Sequence, residues 1–199
     1  MQKLASSLRY RNKIFSLTLL FVLSSCGSSA PLIKDKLDPM TGVTITHAEV
    51  PLVFYRDRSA RAAFARDFVN MGPIQVNRMG QHRYFLWLGI WNTMQDSHLS
   101  DEINGFESII VFADGEPLQL SLAGWTPNAI GASESVYVKP VASLAEAYYE
   151  VTIDQLRFIA AASDVRLRTS GPQARSYEPW EGQGSGRGSM QAFLEYVTY

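Results

Sequence analysis

A single cysteine, Cys26, occurs among 199 residues. No intrachain disulfide is available, so the core alone must hold the fold. One thiol cannot assemble an iron–sulfur cluster or a cysteine-based zinc site. Histidine is nearly as scarce: His47, His82 and His98 are the only three. Long apolar runs are also missing. The one candidate, Ile14 to Leu23, falls well short of the ~20 residues a membrane-crossing helix needs, and small polar residues end it. No repeat of fixed period occurs. Nor is there a basic excess, since 18 Lys and Arg oppose 19 Asp and Glu. That balance argues against nucleic acid as a partner, because phosphates demand a basic footprint.

What the N-terminus does contain is ordered. Lys3, Arg9, Arg11 and Lys13 precede the apolar run with no acidic residue among them, and Ser24 and Ser25 follow it. Basic region, short apolar core and small residues make a secretory signal peptide. Leu23-Ser24-Ser25-Cys26 resembles the lipobox of bacterial lipoproteins, and the resemblance covers residues 1–30. It implies that a diacylglyceryl group is added to the Cys26 thiol, that the chain is cut before Cys26, and that the new amine is acylated. The membrane would then be a partner through lipid on Cys26. Each buried CH₂ contributes ~0.8 kcal/mol, so one chain holds marginally and two or more hold stably. Gly27 stands where aspartate favours inner-membrane retention in enterobacterial lipoproteins, which points the address towards the outer membrane.

Residues 1–25 carry four of the basic residues and none of the acidic ones, leaving 14 against 19 and a net charge of −5. Such a chain does not dock on anionic headgroups by overall charge. The remaining 174 residues suffice for one domain. Residues 26–40, interrupted by Pro31 and Pro39, read as a lipidated N-terminus and flexible tether, and 41–199 as a single globular β-rich domain.

From Thr41 the pattern has period two, with Val43 and Ile45 alternating with threonines, and "VPLVFYR" at 50–56 continues extended. Residues 58–68 suit either helix or strand. Residues 73–91 read as a hairpin turning at Met79 to Gln81. In its second strand Tyr84, Leu86, Leu88 and Ile90 form one face and Phe85, Trp87 and Trp91 the other, so both faces are covered. Asp114-Gly115 marks a two-residue hairpin loop. "SVYVKP" at 135–140, "YYEV" at 148–151 and "VRLR" at 165–168 read as strands. Thr152 and Gln155 fit a capping box ahead of a helix burying Leu156, Ile159 and Ala160. Residues 171–189 read as loop, and 190–199 as a helix or a closing strand. About eight strands and one or two short helices, with no βαβ alternation, predict a mainly β fold bordering on α+β, an antiparallel β-sandwich. The terminal Tyr199 raises an outer-membrane barrel, but no strand sustains the alternation over ~10 residues that a barrel wall requires.

Chemistry is sparse. His47 and Glu49 share a strand face, yet no third metal ligand is visible by spacing. The loop 96–102 gathers Asp96, Ser97, His98, Asp101 and Glu102, but adjacent triad members do not converge, and no glycine elbow presents Ser97. Its acidic spacing does not match an EF-hand loop. "EGQGSGRG" at 181–188 lacks the Lys-Ser/Thr ending of a phosphate loop. No catalytic residue, metal or cofactor follows from these patterns. Trp87 and Trp91 fit core packing, whereas Trp125 and Trp180 lie in loops and are candidates for partner contact. "GPIQVNRMG" and "YFLWLGIW" resemble segments of uncharacterised proteobacterial lipoproteins. The expectation is a non-enzymatic, lipid-anchored envelope protein contacting another envelope component. The alternative is an anchored hydrolase or small-ligand binder using the 96–102 loop.

Overall fold

A computed structural model describes residues 32–58, 65–94, 103–180 and 184–198. Ten strands form the sheet: β1 (Ile33–Leu37), β2 (Thr44–Ala48), β3 (Leu52–Asp57), β4 (Arg66–Arg78), β5 (Gln81–Asn92), β6 (Ser108–Ala113), β7 (Glu116–Gly124), β8 (Ala145–Val151), β9 (Val165–Thr169) and β10 (Ser176–Pro179). Two α-helices, α1 (Ile153–Ala161) and α2 (Gly184–Thr198), and a 3-10 turn at Pro127–Ile130 complete the described elements.

The mainly β expectation holds, but the sandwich is corrected. The strand order β4-β3-β10-β9-β6-β7-β8-β5 returns to β4, closing an eight-strand antiparallel barrel. β2 and β3 both run along one edge of the 13-residue β4, β2 opposite Ile74–Asn77 and β3 opposite Arg66–Met71. β1 adds to the outer edge of β2. Ile33–Leu37 therefore belongs to the sheet, which corrects the tether expected over 26–40.

The two-faced pattern of β5 has a direct cause. Leu86, Leu88 and Ile90 point into the barrel with Phe54, Val69, Met71, Val111, Tyr149 and Leu167. Phe85 and Trp87 point outward into a second core with Ile45, Ile74, Val76 and Tyr148, beneath residues 127–144. "SVYVKP" is part of this cover and forms no strand: Tyr137 is buried while Val138 is 88% exposed.

Local signals set the turns and the helix start. Asp114 and Gly115, and equally Met79 and Gly80, take positive φ, as a type I′ hairpin turn requires. The capping box is complete: the Gln155 amide donates to Thr152 Oγ1 at 3.1 Å and the Thr152 amide to Gln155 Oε1 at 2.8 Å. α1 turns Leu156, Ile159 and Ala160 into the main core, and α2 adds Met190 and Phe193.

On the barrel wall, Val111 and Leu167 face inward, while Arg166, Arg168, Glu178 and Gln119 lie on the outer surface. A membrane barrel needs the reverse, an apolar outer band. No described helix is long and apolar enough to cross a membrane.

Candidate functional site

A face that combines aromatic and cationic side chains lies on the outside of β3, β4 and β5. Register builds it. Tyr55 pairs with Phe68, and Phe68 with Trp91, so three aromatic side chains form one row across neighbouring strands. Phe68 stacks on Trp91 with centroids 4.4 Å apart and planes 15° apart. The Trp91 indole N–H reaches Asn70 Oδ1 at 3.4 Å. Trp180 follows β10 and stays 38% exposed. It meets Tyr55 edge-on at 5.2 Å and Phe68 at 5.6 Å. Its backbone N–H donates to Val53 O at 2.9 Å, fixing it to β3.

The Arg66 guanidinium lies 5.2 Å from the centroid of Trp180 and 5.4 Å from that of Tyr55, while its Nε donates to Asp57 at 2.8 Å. Such cation–π contacts hold a guanidinium flat against aromatic surface and limit its motion. On the inward side of the same strands the buried Asp67 carboxylate takes the Arg56 guanidinium on one oxygen and Arg58 Nε at 3.2 Å on the other. Arg56 in turn lies over the ring of Tyr177, whose hydroxyl pKa burial pushes up to about 12. A paired charge cluster thus backs the aromatic face and fixes β3 against β4.

The other sequence candidates fall elsewhere. Trp125 packs partly buried against the main core and makes no ring contact with Trp180, Tyr55 or Phe68. Trp87 is fully buried, as expected for core packing. Trp91 is half-buried at the surface row. His47 is buried on β2, with Nδ1 2.9 Å from Ala48 O and its ring 4.8 Å from Tyr137. Burial holds its pKa below the usual 6.5. Glu49 is engaged by Lys34 at 2.7 Å. His82 is exposed beside the Met79-Gly80 turn. Cys26, His98 and the 96–102 loop lie outside the described residues, as does 181–183. Among the described residues, no three His, Cys, Asp or Glu side chains converge to hold a metal.

A groove of about 330 Å³ runs over the outside of β6, β9 and β10 between Phe112, Arg166, Arg168 and Glu178. Arg166 bridges Asp164 at 2.9 Å and Glu178 at 3.4 Å there, so much of its charge is internally paired.

Sequence reasoning singled out Trp180 but missed Tyr55, Arg66 and Phe68. Their convergence depends on the β3–β4 register and on the arrival of β10 from more than a hundred residues away, neither of which leaves a local pattern. No protein-family model, curated protein or solved structure matches the chain.

Proposed function

We propose that this chain is a lipid-anchored, non-enzymatic protein of the bacterial cell envelope, held at the outer membrane through Cys26, whose barrel contacts another envelope component through the Trp180 face. The address rests on the signal-peptide pattern and Leu23-Ser24-Ser25-Cys26. The contact surface rests on one observation: an exposed tryptophan is seated on Tyr55 and Phe68 and covered at one side by Arg66. Tryptophan, tyrosine and arginine are the residues most enriched where interfaces concentrate their binding energy. A rigid aromatic pair with a restrained guanidinium loses little conformational freedom on binding.

A photo-crosslinking residue placed at position 180 in growing cells tests this. The expected result is a discrete adduct with one envelope protein. That adduct disappears on Arg66→Ala, and no adduct forms from the same residue at Gln119, which is exposed on β7. Equal yields from positions 180 and 119 would contradict the assigned face.

A further inference from the structure

The two hairpin ends at the far side of the flared sheet expose apolar side chains that a structural turn does not need. Leu37, Thr44, Asn77 and His82 form one row across β1, β2, β4 and β5, so the 38–43 turn and the Met79-Gly80 turn are neighbours beyond it. Leu37 is 63% exposed, Met40 82% and Met79 99%. Met79 also sits at φ 53°, a left-handed conformation that favours glycine or asparagine and disfavours a long side chain. Both turns are stiff. Asn77 Oδ1 accepts the Gly80 amide at 2.9 Å. The buried Asp38 carboxylate accepts the amides of Met40 at 3.0 Å and Thr41 at 3.3 Å, and is tied to Ser133 across the fold. Exposed methionine on a rigid, strained turn fits a contact role better than a folding role.

We infer that the hairpin ends carrying Leu37, Met40 and Met79 seat in the surface of a phospholipid bilayer. The inference rests on the proposed Cys26 anchor and extends it by giving the barrel an orientation. Six residue steps separate Cys26 from Leu32, a reach of at most ~20 Å. β1 then runs from beside Ala48 to beside Thr44, a rise of ~13 Å. An anchored chain can therefore bring these ends to the same bilayer that holds the lipid, at high effective concentration. Two convex, narrow apolar ends suit a fluid surface that deforms around them.

The test uses the full protein purified from membranes and reconstituted in phosphatidylethanolamine–phosphatidylglycerol vesicles, with Met79→Cys, Met40→Cys or Ser121→Cys carrying an environment-sensitive fluorophore. Acylated Cys26 leaves the introduced thiol as the only one labelled, and intact mass counts the labels. The expected result is blue-shifted emission quenched by nitroxide lipids at positions 79 and 40, and water-like emission at 121. Met79→Asn, which suits the left-handed turn, is expected to raise the urea midpoint while at least halving the quenching at position 40. Water-like emission at 79 in singly labelled, acylated protein overturns this inference and leaves the anchor standing, as does unchanged quenching at 40 with Met79→Asn. Adducts from these positions to a protein in cells, without lipid quenching, assign the ends to a protein partner and overturn it too. Two labels per chain would instead refute the anchor, and with it this orientation.

Discussion

The Glu146 carboxylate accepts the Trp87 indole N–H at 3.1 Å on the outside of the barrel. The same carboxylate accepts the hydroxyls of Ser135 at 2.7 Å and Tyr148 at 3.2 Å and pairs with Lys139 at 3.1 Å. Glu146 thus ties the 127–144 cover to β5 and β8 from a 5% exposed position. Glu146→Ala strands a buried indole N–H and hydroxyl, and is expected to lower unfolding free energy by on the order of 3 kcal/mol in urea titrations. The barrel itself should keep its far-UV signal below the transition.

Gly72 is expected to be intolerant of a side chain. A Cβ there would lie 2.2 Å from the Tyr137 hydroxyl, which donates to Pro73 O at 2.9 Å. Gly72→Ala should cost ~1–3 kcal/mol through overpacking. The Tyr137 ring carbon Cζ would lie 2.4 Å away as well, so Tyr137→Ala, which removes ring and hydroxyl together, should make the double variant less destabilised than the sum of the singles. Strict additivity would mean that the two positions do not press on each other.

Acid should weaken the fold in two steps. Burial holds His47 below its usual 6.5, so the unfolded chain takes up a proton there that the folded chain resists. Stability from this source is present above pH 6.5 and falls as the pH drops below it. The Asp38 carboxyl is held down from 3.8 to about 2, chiefly by the Ser133 amide and also by the Ser133 hydroxyl and the Met40 and Thr41 amides. Its contribution is complete above about pH 4 and is lost as the pH falls from there towards 2. His47→Phe should flatten the upper limb of a urea-midpoint-versus-pH curve, and Asp38→Asn the lower one. A curve unchanged by either variant would show that other groups carry the acid sensitivity.

Much of the fold was legible where a signal is local. Asp114-Gly115 announced a turn and Thr152 and Gln155 a helix start, while residues 190–199, which suited a helix or a closing strand equally, are helical as far as Thr198. The barrel was not legible, because its closing strand is too short to show a period. β10 has four residues and pairs at only two positions with each neighbour, inside a stretch read as loop. The glycines of 184–188 likewise suggested a loop, yet they open α2. There a Cβ at Gly186 would meet Pro51 O at 2.7 Å, so glycine allows the helix to approach the chain ahead of β3. Ile33–Leu37 carries charges that made it read as tether, and as the outer edge strand it can keep them in water. Trp180 was visible as an exposed candidate, but its companions on β3 and β4 depend on register alone.

The central claim is the lipid attachment, and Cys26→Ser tests it most directly by fractionation with intact-mass analysis. The wild-type protein is expected to be recovered with membranes, beginning at Cys26 and carrying acyl mass. The Cys26→Ser protein is expected to accumulate as an uncleaved or mislocalised precursor. Normal processing and membrane recovery of Cys26→Ser, with no acyl mass on the wild type, would contradict the account.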